Sequence, residues 1–182
     1  MADSLVSVEA FLSLAIRHMN AGLRERARVL CEQADAMYPS HPAVQQLLAV
    51  ISLQAGDAAQ ASRHAEASLA LRADHLPTLR VAADAWFQVA LLRQDLHDLD
   101  GAEQALRRVL ELNPDRAEAE TNLGIVLQEQ GRIDDAMRAY GRAYRLREDS
   151  FGRIAHALAA APVGRLWLDL DALRAELREL PA

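Results

Sequence analysis

The residues with the clearest chemical potential lie in the segment DLHDLDG, residues 95–101, where carboxylates alternate with apolar residues. Such a run could bind Ca²⁺ if its oxygen ligands had the spacing of a calcium-binding loop. The spacing fails, because Leu96 occupies the first ligand position and Arg107 the position of the closing glutamate. We therefore interpret the segment as a connection between two helices, and we predict no metal or other cofactor.

The other reactive side chains are isolated along the chain. Metal and nucleophilic sites need such groups in clusters. The six histidines show no His-x-x-x-His or Cys/His spacing: His18, His41, His64, His75, His97 and His156. Cys31, the single cysteine, lies at helical spacing from Ala27 and Ala34, which predicts a small buried residue. With no nucleophile motif, phosphate-binding loop or paired carboxylates, the sequence predicts a protein that is not an enzyme.

The composition predicts an all-α protein. Hydrophobic residues make up 51% of the 182 residues but aromatic residues only 4%, and alanine and leucine dominate. The net charge of −6 argues against nucleic acid as a main ligand. All basic residues are arginines, which indicates a GC-rich, bacterial coding genome. The N-terminus lacks a signal-peptide pattern and no apolar run is long enough to span a membrane, so we expect a cytoplasmic location.

An internal repeat determines how the helices are organised. Leu123 and Gly124 open one helical stretch, and Ala136 precedes Tyr140 by four residues in the next. The same arrangement recurs 34 residues earlier, with Ala90 at the place of Gly124, and two further copies precede it. A fixed period of this length is typical of stacked helix pairs.

These residues resemble the tetratricopeptide repeat, a family of helix–turn–helix units of 34 residues. The resemblance implies an α-solenoid of antiparallel helix pairs, coiled as a right-handed superhelix, with a C-terminal helical cap. We predict a lead-in over residues 1–7, four repeats over 8–150 and capping helices over 151–182. The repeat boundaries are 8–41, 42–75, 76–116 with a seven-residue extension, and 117–150.

Small residues and glycines have distinct predicted roles in these units. One set lies where the two helices of a unit cross closely: Ala15, Ala49, Ala90 and Gly124. A second set follows the first helix of a unit, where a left-handed conformation suits glycine: Gly22, Gly56 and Gly131. Three aspartates precede helical runs as predicted N-caps: Asp57, Asp100 and Asp115, the last with Glu118 at capping-box spacing.

Two segments depart from the repeat. The excess LPTLRVA is close to two helical turns, so we predict one long helix from about residue 78 to residue 94. The C-terminal tail predicts a helix near 151–160, a break at Pro162 and Gly164, and a second helix with a leucine stripe. The tail could cap the last unit, or it could form a docking or dimerisation surface that comprises Trp167, Leu170, Leu173 and Leu177.

In tetratricopeptide proteins the first helix of each unit lines a concave groove that binds a peptide or helix of a partner. By that resemblance, the groove here contains Leu12, Ile16, Gln46, Val50, Gln54, Arg80, Asp84, Phe87, Leu91, Thr121, Asn122, Ile125 and Gln128. The lysine and asparagine clamp that one subgroup uses for a C-terminal carboxylate is missing, since Leu12, Ile16, Gln46 and Val50 stand there. Apolar residues flanked by amides instead favour a segment with regularly spaced hydrophobic side chains.

Three functions follow from this interpretation. The first is an interaction scaffold or adaptor that binds another protein in the groove. The second is a structural module that self-associates through the C-terminal helices, so a homo-oligomer is possible. The third is the non-catalytic repeat part of a larger enzyme or enzyme complex. Neither nucleic acid nor a membrane span is expected as a partner.

Overall fold

The computed structural model describes residues 7–160 and 169–181, and within these ranges it contains ten α-helices and no strand. The predicted all-α fold of stacked antiparallel helix pairs with a C-terminal cap is confirmed. Each of α1–α8 ends in a short connection before the next helix begins. The helices are α1 Val8–Asn20, α2 Arg24–Met37, α3 Pro42–Gln54, α4 Ala58–Leu71, α5 Leu76–Asp95, α6 Leu99–Leu112, α7 Ala117–Glu129, α8 Ile133–Leu146, α9 Phe151–Ala160 and α10 Leu170–Glu179.

The chain divides into two compact units, Met1–Ala85 and Trp86–Ala182. In the first, hereafter the N-terminal unit, α1 packs on α2, α2 on α3, and α3 on α4. Alanines fill the contacts between these helices because their small side chains allow close approach. The fully buried examples are Ala15, Ala27, Ala34, Ala49, Ala61 and Ala65.

The seven-residue excess lengthens one helix, as predicted. Helix α5 runs without interruption from Leu76 to Asp95. Pro77 lies in its first turn, where the missing amide hydrogen is not needed by the helix. The Nδ1 atom of His75 lies 2.8 Å from the Oγ1 atom of Thr78, which fixes the start of the helix.

The turns after the first helices share one geometry. Gly22, Gly56 and Gly131 have φ angles of 74°, 80° and 79°, which confirms their predicted left-handed conformation. In the third repeat, His97 occupies the equivalent position after the first helix and has a φ angle of 58°. After each of these residues, the next amide donates to a carbonyl five residues back, as from Leu23 to His18 at 2.8 Å. These hydrogen bonds provide donors for carbonyl groups at the helix end that have no donor within the helix.

One of the three predicted aspartate N-caps is confirmed and two are wrong. Asp57 accepts the amide hydrogen of Gln60 at 2.9 Å. The cap of α6 is Asp98, because it directly follows the left-handed His97, and Asp100 falls in the first turn of the helix. Helix α7 begins one residue later than predicted. Its N-cap is Arg116, without a side-chain bond, and Glu118 instead pairs with Arg147.

The second compact unit, hereafter the C-terminal unit, places α8 between α7 and α10. Leu173 and Leu177 of α10 are fully buried. Arg145 of α8 donates to the carbonyls of Leu177 and Leu180 at 3.1 and 2.8 Å, at the end of α10 where carbonyl groups lack helical partners. These contacts make α10 a cap on the repeat region.

Candidate functional site

The first helices of the N-terminal unit carry aliphatic side chains that remain accessible. Ile16 of α1 is 47% exposed, and Leu12 of α1 and Val50 of α3 are half-buried. Ile16 and Val50 lie at matching positions of the first and second repeats, since Val50 follows Ile16 by 34 residues, and Leu12 lies one turn before Ile16 on α1. We call the predicted groove residues of this unit the N-terminal first-helix face, which consists of Leu12, Ile16, Gln46, Val50, Gln54, Arg80 and Asp84.

The other residues of this face are polar. Gln46 is half-buried beside Val50 on α3, and Gln54 is exposed at the end of the same helix. Arg80 and Asp84 are exposed one turn apart on α5. Amide groups can donate to and accept from the backbone of a bound segment. The face therefore combines apolar contact area with both donors and acceptors of hydrogen bonds.

The C-terminal unit is different, because three of its predicted groove residues are buried within the chain. Asn122 Oδ1 accepts from Arg153 of α9 at 2.8 Å. Gln128 Oε1 accepts from the hydroxyl of Tyr140 at 2.8 Å, and Thr121 donates to the carbonyl of Ala117 at 2.9 Å. Their assignment to an open groove is therefore wrong.

The cause is helix α9, which packs on α7 where a further repeat would otherwise begin. Its residues Ile154 and Leu158 are buried there. Ile125 remains half-buried at the edge of a cavity of about 310 Å³ that α7 and α9 line together. Helix α9 of the tail therefore covers most of the predicted groove residues of the fourth repeat.

The two predicted groove residues of α5 that belong to the C-terminal unit are also partly covered. The guanidinium of Arg116 lies over the ring of Phe87, with 4.3 Å between Cζ and the ring centre. Such a contact occupies the face of the ring that a ligand would use. Leu91, one turn further along, is half-buried.

The predicted C-terminal docking surface is mostly internal. Leu173 and Leu177 lie against α8, so they do not present a surface to a partner, and that alternative is wrong for these two residues. Leu170 is half-exposed at the start of α10. Trp167 lies outside the described residues.

Three groups have pKa values that burial shifts. Burial raises the pKa of the Cys31 thiol to about 11, and the charge of Glu32 adds to that effect. Burial also raises the pKa of Tyr140 and lowers that of His64. Within residues 7–160 and 169–181, no group of three or more His, Cys, Asp and Glu residues could hold a metal ion. In the segment DLHDLDG, Asp98 caps α6 and pairs with Arg93 at 3.1 Å.

Residues 81–149 match the family model described as tetratricopeptide repeat. These residues form tetratricopeptide repeats. The Caenorhabditis elegans protein named Tetratricopeptide repeat protein 8 is 39% identical over 70 residues, which are 38% of this chain and 14% of that protein. In the ranges that the structure describes, no helix is both long and apolar enough to cross a membrane.

Solved tetratricopeptide proteins share the fold. A crystal structure of MamA matches with a TM-score of 0.64 and 17% identity, over 94% of this chain and 86% of that one. YrrB, described as a TPR protein with an unusual peptide-binding site, matches with a TM-score of 0.63 and 16% identity, over 97% and 89% of the two chains. At these identities the likeness is one of fold.

Proposed function

We propose that this tetratricopeptide protein is a non-enzymatic interaction scaffold that binds an extended or helical segment of a partner protein over its N-terminal first-helix face. The observation that carries the proposal is the exposure of Ile16 beside half-buried Leu12 and Val50. Exposed aliphatic side chains on the first helices, next to amide groups, suit a segment that presents hydrophobic side chains at regular intervals.

The contrast between the two units supports this choice of surface. In the C-terminal unit, α9 covers the corresponding positions, where Asn122 Oδ1 and the side-chain amide of Gln128 form hydrogen bonds within the chain. Self-association through the C-terminal leucine stripe has less support, since Leu173 and Leu177 are buried against α8. A bacterial, cytoplasmic setting is proposed from the acidic, lysine-free composition and the single buried cysteine. Fractionation of the source cells would test that setting.

The test is selection of binding segments from a random peptide display library against the wild-type protein. Peptides selected in this way should lose measurable binding to Val50→Arg, because a charged side chain would stand inside the aliphatic part of the face. Ile16→Arg should have the same effect. Fluorescence anisotropy with the selected peptides measures the affinity of each variant.

Val29→Arg is the matched control, since Val29 is an exposed valine on α2, outside the N-terminal first-helix face. It should bind the selected peptides as the wild type does. Thermal unfolding of all variants separates lost binding from lost folding. If the peptides bind Val50→Arg and Val29→Arg equally well, or if the library yields no binder, the proposed surface is wrong.

A further inference from the structure

A second cavity, on α6, α7 and α8 of the C-terminal unit, uses none of the predicted groove residues. It has a volume of about 530 Å³. Leu123 and Leu127 of α7, both buried, and half-buried Leu110 of α6 form its apolar floor. Four arginines line it above this floor: Arg107, Arg132, Arg138 and Arg142. We call it the arginine-rimmed cavity.

The arginines reach solvent while two of their counter-ions lie deep. The side chains of Arg107 and Arg132 are 59% and 42% exposed, but Glu103, which pairs with both, is only 14% exposed. Arg142 is 30% exposed and binds Glu120, which is 7% exposed. Positive charge therefore predominates at the mouth of the cavity, although the acids balance it in number.

The other acids at the mouth of the cavity do not occupy all the N–H donors of the arginines. Asp135 is shared between Arg132 and Arg138. Glu111, the other lining acid, pairs with Arg108 at 2.9 Å. Three guanidinium groups, those of Arg107, Arg132 and Arg138, thus share two carboxylates, Glu103 and Asp135. A guanidinium group carries five N–H donors, so several remain available to a ligand.

Arg142 shows this capacity most clearly. Its Nε atom donates to Glu120 at 2.7 Å. In the part of the chain that the structure describes, its two terminal nitrogens make no hydrogen bond. They can therefore form a bidentate contact with a carboxylate without breaking the pair with Glu120.

We propose that the arginine-rimmed cavity binds a short acidic segment of a partner protein that carries one large apolar side chain. Carboxylates of the segment bind the exposed guanidinium groups, and the apolar side chain contacts Leu110, Leu123 and Leu127 at the floor. Charge complementarity selects the acidic segment, and the leucine floor selects a peptide over a nucleic acid, since a phosphate backbone has no aliphatic side chain to place against Leu110, Leu123 and Leu127.

This site goes beyond the proposed function, because it gives the scaffold a second surface with a different chemical preference. The N-terminal first-helix face combines aliphatic and amide groups, whereas the cavity combines arginine and leucine. Two surfaces of different chemistry would allow the protein to bind two partners at once.

The test uses three pools of short synthetic peptides that differ only at fixed positions. In the first pool, Asp or Glu flanks a central Leu, Ile, Phe or Met. In the second, the acids are replaced by Asn or Gln, and in the third the central residue is Ser. The first pool should bind at least about tenfold more tightly than the other two, because each lacks one half of the recognition. On methyl-labelled protein, the resonances of Leu110, Leu123 and Leu127 should shift with that pool alone.

Substitutions locate the binding. Arg107→Gln combined with Arg138→Gln should weaken binding of the first pool by about tenfold or more, since two charge-assisted contacts are lost. Arg28→Gln combined with Arg63→Gln is the matched control, as both arginines are exposed on second helices of the N-terminal unit. It makes the same change in net charge and should leave the affinity unchanged. Leu110→Asp provides an independent variant that keeps every arginine and should also abolish binding.

Three outcomes would overturn the proposal. One is failure of the acidic pool to bind more tightly than the neutral pool. Another is equal loss of affinity in the matched control. The third is tighter binding of single-stranded DNA than of any peptide, together with no effect of the Ser replacement, which would identify a general polyanion surface. Val50→Arg should leave this binding intact, so the result is separable from that for the N-terminal first-helix face.

Discussion

The ring of Tyr140 occupies the space that a side chain at Gly124 would need. A β-carbon added at Gly124 would lie 2.9 Å from Cζ of that ring and closer still to two of its other carbons. Tyr140 is fully buried, so the ring cannot swing into solvent, and its hydroxyl donates to Gln128 at 2.8 Å. The glycine thus lets α7 and α8 pack face to face around one fixed aromatic side chain.

The first prediction concerns this contact. Gly124→Ala should lower the free energy of unfolding by about 1–3 kcal/mol, because overpacking forces the ring or the backbone to shift. Gly152→Ala is the matched control, since that glycine lies in α9 with nothing within 4 Å of an added β-carbon. It should raise stability by about 0.5–1 kcal/mol through helix propensity alone. Urea denaturation measures both, and equal stability of the two variants would contradict the packing argument.

The second prediction concerns the hydrogen bond at the other end of the ring. Tyr140→Phe should cost about 1–3 kcal/mol, because it leaves the buried Oε1 of Gln128 without its hydroxyl donor. Adding Gln128→Met should recover part of this loss, since both polar partners are then replaced by apolar groups of similar shape. The double-mutant cycle, measured by chemical denaturation, isolates the coupling. Additive effects of the two substitutions would show that the bond contributes nothing specific.

The 34-residue period was sufficient to predict the fold, because the role of each glycine and of the seven-residue excess depends on local chemistry. Gly22, Gly56 and Gly131 take the left-handed conformation for which glycine is suited. The seven-residue excess before residue 83 lengthens α5 because seven residues are close to two complete helical turns. The N-caps Asp100 and Asp115 were wrong because helix starts depend on the preceding turn. At Asp98, that turn is set by a left-handed His97, which sequence alone does not reveal.

The candidate site was harder to predict than the fold. The assignment of Asn122 and Gln128 to a groove assumed an open fourth unit, but the position of α9 on α7 is a tertiary contact with no repeat pattern. The apolar residues of the tail predicted helices that could cap the last repeat, but not that α9 would cover Asn122 and Gln128. The arginines of the arginine-rimmed cavity alternate with acids along the chain, a pattern that by itself predicts only solvated helix faces, since their convergence above Leu123 and Leu127 requires three helices in place.

The third prediction uses the turn at His97. A residue with a β-carbon in the left-handed region carries a backbone cost of about 1–2 kcal/mol that glycine avoids. His97→Gly should therefore stabilise the protein by about 1 kcal/mol. Gly131→Ala, at the equivalent place of the fourth unit with open space around it, should destabilise by a similar amount. Thermal unfolding measures both changes, and a loss of stability in His97→Gly would mean that the imidazole makes a contact that outweighs the strain.

The fourth prediction concerns stability at alkaline pH. Burial raises the pKa of Cys31 to about 11 from an ordinary value of 9.0, so between these values the unfolded state has lost the thiol proton and the folded state keeps it. A raised folded-state pKa gives stability that is full below pH 9 and declines as the pH rises toward 11. The free energy of unfolding of the wild type should therefore fall across this window by up to about 2 kcal/mol more than that of Cys31→Ala.

Comparison of the two proteins removes the contributions of all other titrating groups, because they are common to both. The alanine variant leaves a small cavity beside Ala27, Ala34 and Leu48, and the cost of that cavity is an offset that does not depend on pH. Only the difference in slope reports on the thiol. Chemical denaturation at intervals from neutral to alkaline pH measures it, and parallel curves for the two proteins would mean that the thiol of Cys31 titrates alike in the folded and unfolded states.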